Sequence, residues 1–134
     1  MASIRKEIII AASLEVAWDA LRDFGAPHTR LVPGFVVDTQ LDGDDTRAVT
    51  FFNGMTIREV LVGVDEEARR LVYTAVEGPM EATHHSASAQ VFAGDDGGTR
   101  FVWITDVLPD ELAPPINELM ELGAAAMKDA LSRG

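Results

Sequence analysis

Two hydrophobic periods alternate along the chain and divide it into elements. Residues 4–12 read as a strand, and Ser13 follows where a helix N-cap is needed, its hydroxyl able to accept from the freed amides of a first turn. Val16, Trp18, Leu21 and Phe24 supply the apolar positions of that helix, to about residue 24. Gly25-Ala26-Pro27 stops it, and a second short helical piece spans 27–32 before Pro33-Gly34 breaks the chain again. The spacing then becomes two, predicting strands over 35–41, 46–53, 55–64, 71–77, 82–93 and 99–108. Asp42-Gly43-Asp44-Asp45, Asn53-Gly54 and Gly94-Asp95-Asp96-Gly97-Gly98 are among the turn signals between them. Helical spacing returns at the end, where Ile116, Leu119, Met120, Gly123, Met127 and Leu131 form one apolar stripe. That helix opens near Asp110 or at Pro114-Pro115 and runs to about Ser132.

A run of strands closed by a helix argues for the α+β class, an antiparallel sheet with its helices on one side. Seven strands are enough to curl around the last helix. The chain has 134 residues and shows no linker, repeat or low-complexity segment, so one domain over 1–134 is expected. Asn53-Gly54 favours a two-residue type I′ loop, which sets Phe52 opposite Met55, Thr50 opposite Ile57 and Ala48 opposite Glu59. Arg58 marks the wet face. The inner face then carries Ala48, Thr50, Phe52, Met55, Ile57, Glu59 and Leu61; Val49, Phe51, Val60 and Val62 fall outside. By the same alternation Leu71, Tyr73 and Ala75 point in, as do His85, Ala87, Ala89 and Val91, and Phe101, Trp103, Thr105 and Val107.

Composition removes several function classes. Acidic residues number 22 against 11 basic ones, a formal charge of −11, which opposes the phosphate contacts that nucleic-acid binding requires. Without cysteine there is no disulfide framework, Cys-ligated metal or thiol nucleophile. The short apolar run at residues 8–12 falls below the length of a signal peptide or a membrane span, so a cytoplasmic location without membrane insertion is expected. His84 and His85 point to opposite faces of one strand and cannot share a metal from it; no metal and no cofactor are expected. There is no Gly-x-Ser-x-Gly, and the glycine-rich 94–98 loop is acidic, repelling phosphate.

The segment from Ala11 to Phe24, the Arg58-Glu59 pair, Tyr73, Gly97-Gly98-Thr99 and Trp103 resemble the START/Bet v 1-like (SRPBCC) superfamily, and within it the polyketide cyclase/dehydrase-like group. The resemblance spans essentially the whole chain. It implies a helix-grip fold, in which a curved seven-stranded antiparallel sheet grips a long C-terminal helix around an apolar cavity, with two short helices after the first strand. Lipid carriers, receptors and cyclases share that fold, so it implies little about chemistry. Many relatives carry an arginine where Thr50 stands, facing the glutamate; here that charge is missing.

Glu59, Tyr73, His85 and Thr105 are the polar groups expected in the interior. Glu59 is either a general acid or base, its protonated form favoured by burial, or a carboxylate paired with a polar neighbour. Tyr73 and His85 are candidate proton carriers beside it, or hydrogen-bonded core groups. Phe52, Ile57, Trp103, Met120, Gly123 and Met127 complete the expected ligand-binding set, Gly123 by leaving room for a ligand or by seating the helix closely. Three functions remain: binding of a small hydrophobic or amphipathic molecule, lipid- or polyketide-like; a cyclase or dehydratase using Glu59, Tyr73 or His85; and a domain that forms a homodimer through Val49, Phe51, Val60 and Val62.

Overall fold

A computed structural model describes residues 1–133. Strand β1 (Ala2–Ile10) leads into helix α1 (Leu14–Arg22) and a π-helical turn (Pro27–Leu31). Then come β2 (Val36–Leu41), β3 (Thr46–Phe51), β4 (Thr56–Asp65), β5 (Arg70–Glu77), β6 (His84–Ala93) and β7 (Thr99–Leu108), and the chain closes with α2 (Ala113–Ser132). The seven strands form one antiparallel sheet in the order β1-β7-β6-β5-β4-β3-β2. This is the helix-grip arrangement. Because β1 and β2 lie at opposite edges, α1 and the π-helical turn must cross the end of the sheet between them. Ser13 caps α1 as its sequence position predicts, its hydroxyl accepting from the Val16 N–H at 3.2 Å.

The core fills the space between the inner sheet face and the helices. Ile10, Leu71, Phe101 and Val107 are among its fully buried side chains, and α1 adds Ala17, Trp18, Ala20 and Leu21. Helix α2 buries Ile116, Met120, Gly123, Met127 and Leu131 of the expected stripe, with Ala124 added and Leu119 half-buried. The inward assignments on β5, β6 and β7 hold. A Cβ on Gly123 would lie 3.0 Å from Phe35 Cε2 and 3.1 Å from the Trp103 ring. Close seating of α2 is therefore what this glycine provides, and it lies behind Trp103 rather than on open space.

The β3–β4 hairpin departs from the expected register. Phe51 N–H donates to the Met55 carbonyl at 2.8 Å and Gly54 N–H to the Phe51 carbonyl at 2.9 Å, enclosing a three-residue loop of Phe52, Asn53 and Gly54. A type I′ turn would need positive φ at both Asn53 and Gly54; only Gly54 has it, at +86°. The Asn53 Oδ1 instead accepts from the Met55 N–H at 3.1 Å. The pairs are thus Thr50 with Thr56, Val49 with Ile57, Ala48 with Arg58 and Arg47 with Glu59.

A slip of one residue turns a whole strand over. Arg47, Val49 and Phe51 point inward and are buried, whereas Phe52 is 52% exposed. Packing supplies the reason: Phe51 meets Phe35 edge-to-face at 5.2 Å between centroids, a contact the shorter loop would have given to solvent. The outer patch expected as a dimer face accordingly loses Val49 and Phe51. Gly54→Ala forces a Cβ into the left-handed region and is expected to destabilise the fold by about 1–2 kcal/mol, measured by urea denaturation.

Candidate functional site

Between the inner sheet face and α2 lies a cavity of about 370 Å³. Its wall is mostly apolar, with Val49, Phe51, Ile57 and Leu71 from the sheet, Pro27, Leu31 and Val32 from the π-helical region, and Ile116, Leu119, Met120 and Met127 from α2. Alanines at 75 and 89 leave the space that larger inward side chains would occupy. The exposed lining residues, Val76, Glu77, Gly78, Glu81 and Ala82, all belong to the end of β5 and the β5–β6 connection. The mouth is therefore there.

Polar chemistry enters from five neighbouring strands, β3 to β7. Glu59 on β4 is 7% exposed and its Oε1 accepts from Arg47 Nε at 2.9 Å, with Nη2 at the same distance. Arg47 Nη1 donates to the Phe24 carbonyl just past α1 at 3.0 Å, and the guanidinium carbon sits 3.9 Å from the Phe24 ring centroid. Arg47 thus joins the hairpin to the end of α1 while neutralising Glu59. Among the described residues no group donates to Glu59 Oε2. Trp103 Nε1 donates to the Tyr73 hydroxyl at 3.1 Å, leaving the hydroxyl's own proton uncommitted. Burial, reinforced by the Glu59 charge, raises the Tyr73 pKa, so the phenol stays protonated.

His85 accepts the Ala75 N–H on Nδ1 at 2.9 Å, which requires a neutral ring with its proton on Nε2. Burial first, and then the neighbouring His84, lowers its pKa from 6.5. Thr105, only 2% exposed, lines the same cavity with no side-chain hydrogen bond to the described residues. The cavity therefore presents one carboxylate oxygen as acceptor, and the Tyr73 O–H and His85 Nε2–H as donors. Thr105 can serve as either. No cluster of three His, Asp or Glu side chains suited to a metal ion occurs among the described residues.

The family described as "Polyketide cyclase / dehydrase and lipid transport" matches residues 1–134. The chain belongs to that family. A protein from Thermobifida fusca, solved in solution by NMR, is 31% identical, with 99% of this chain and 95% of that one covered at a TM-score of 0.79. XoxI from Bacillus cereus shares the fold at 21% identity and a TM-score of 0.88, over 98% of this chain and 96% of its own. Norcoclaurine synthase from Thalictrum flavum shares it at 24% identity and 0.75, over 98% and 84%. No curated protein matches the chain. No helix among the described residues is long and apolar enough to cross a membrane.

Within this polyketide cyclase/dehydrase and lipid transport member, Ile57, Glu59, Tyr73, His85, Trp103, Thr105, Met120 and Met127 all line the cavity. Two of the expected ligand-binding residues do not. Phe52 lies on the outer surface because of the three-residue loop, and Gly123 is covered by Phe35 and Trp103. The arginine missing at Thr50 is supplied by Arg47, on the opposite face of the same strand from Thr50 and across from Glu59. Sequence reasoning missed Arg47, Val49 and Phe51 together. The signal was present, since Val49 and Phe51 make theirs the more apolar face of β3.

Removing the cation alone would strand a buried carboxylate. Arg47→Met is expected to cost about 3–5 kcal/mol in denaturant unfolding, and Arg47→Met with Glu59→Leu to recover most of it. For His85, the unfolded chain takes up a proton as the pH falls through about 6.5, whereas the folded protein takes it up only at lower pH. Its contribution to stability is complete above 6.5 and is lost as the pH falls through the folded value. Melting temperature should decline in that window, and His85→Phe should flatten the decline.

Proposed function

We propose that this protein binds a small hydrophobic or amphipathic molecule, lipid- or polyketide-like, in the cavity between the sheet and α2. The observation that carries the reading is an apolar chamber of about 370 Å³ lined by Glu59, Tyr73, His85 and Thr105, each with a hydrogen-bonding atom that no described residue engages. Buried apolar surface would supply the affinity, at about 25 cal/mol per Å², and the few polar atoms would orient the ligand. The family description supports the same class of ligand.

A second reading, proton transfer in a cyclase- or dehydratase-type reaction, draws on the neutral His85 and protonated Tyr73, whose rings stand 6.3 Å apart in the cavity that Glu59 also lines. Glu59, held by Arg47, would then act as a charge that positions these groups or as the base itself. Glu59→Gln separates the two readings. A carrier would show no turnover to lose, whereas the enzyme would lose turnover of its substrate while retaining binding.

Native mass spectrometry of the purified protein, followed by organic extraction, is expected to reveal a co-purifying small molecule and reports the oligomeric state in the same spectrum. Ala75→Leu narrows the chamber without touching its polar groups. It is expected to weaken binding of that molecule by about tenfold or more with little loss of stability. Unchanged affinity in this variant would remove the cavity as the binding site.

A further inference from the structure

The charges around the cavity are one-sided. Among the described residues, its charged lining consists of Arg47, Glu59, Glu77 and Glu81. The single cation is already paired: Nε and Nη2 lie against Glu59 Oε1, Nη1 donates to the Phe24 carbonyl, and the planar group rests on the Phe24 ring. Arg58, the cross-strand neighbour of Glu77, is drawn away to Asp42. His85 brings no positive charge, because its Nδ1 is occupied as an acceptor by the Ala75 N–H. A ligand therefore passes two exposed carboxylates at the mouth and meets inside a carboxylate already paired with Arg47.

We infer that the cavity selects against anions and takes an uncharged or cationic apolar molecule, one bearing a hydrogen-bond donor for Glu59 Oε2 and a carbonyl-type acceptor for Tyr73 and His85. This rests on the binding reading above and narrows it. Glu59 and Thr105 are more than nine-tenths buried and line the chamber, each with an oxygen that accepts no hydrogen bond from the described residues. An alcohol, phenol or ammonium can donate to Glu59 Oε2. A carboxylate or sulfate cannot, and on its way in it would be repelled by Glu77 and Glu81. Free fatty acids are thus the wrong class, although their apolar parts would suit the walls.

The test uses ligands that share an apolar body and differ only in the head. 2-Naphthylmethanol, 2-naphthylmethylamine and 2-naphthoate form one trio, and decanol, decylamine and decanoate at concentrations below aggregation form another, with Kd measured by calorimetry at pH 7. The alcohol and the amine of at least one trio are expected to bind, and the carboxylate to bind weaker by about tenfold or more. Glu77→Gln with Glu81→Gln should narrow that gap, and raised salt should narrow it in the unaltered protein, because these mouth carboxylates are exposed and screened. If the carboxylate binds as tightly as the alcohol, the charge selection is overturned and the cavity reading survives. If none of the six compounds binds, the cavity reading falls and this inference with it. A gap unchanged by both the double substitution and salt overturns the role given to Glu77 and Glu81.

Discussion

Every side chain on a strand is committed to one face, so the length of the loop between β3 and β4 decides the chemistry of the interior. Three residues rather than two place Arg47, Val49 and Phe51 inside. Without that register Glu59 would face a strand with no cation, and the guanidinium that ties the hairpin to the end of α1 would lie in solvent. The buried Arg47–Glu59 pair is thus a consequence of backbone geometry at a single turn. Its internal neutralisation removes the one positive charge the cavity could have offered a ligand.

The same economy of space governs the opposite wall. Helix α2 has to approach the sheet closely at one point and stand away from it elsewhere. Gly123 permits the approach, with the rings of Phe35 and Trp103 filling the place of its side chain. Trp103 is then fixed by a second contact, its N–H reaching Tyr73. Space survives where Ala75 and Ala89 face the helix, and the mouth opens where β5 ends in Glu77 and Gly78. Small residues therefore serve two purposes in this fold, seating at one position and vacancy at others, and only their neighbours distinguish the two.

Membership in a family described by both cyclase/dehydrase and lipid-transport activity leaves the chemistry to be argued from the site. What this site offers is a protonated phenol, a neutral imidazole and a paired carboxylate converging on an apolar chamber. Groups so arranged can orient a carbonyl compound, and orientation is the requirement that carriers and catalysts of such compounds have in common.

Much of this architecture was legible in the sequence. Periodicity located all seven strands and both α-helices; the Ser13 cap and the α2 stripe stand where they were expected. Wherever a strand carried an unambiguous polar face, as in β5, β6 and β7, its inward residues followed, among them Tyr73, His85, Trp103 and Thr105. In β3 the rule failed because Asn53-Gly54 also suits a three-residue loop with Gly54 in the left-handed region, and because an inward arginine breaks the polar-out pattern. Local propensity and alternation were enough for the elements, the α+β class and most of the inner wall. Tertiary structure alone decided the hairpin register, the partner of Glu59 and the use made of Gly123. Each of these depends on which distant surface, Phe35, the end of α1 or the Trp103 ring, arrives to fill or to pair with it.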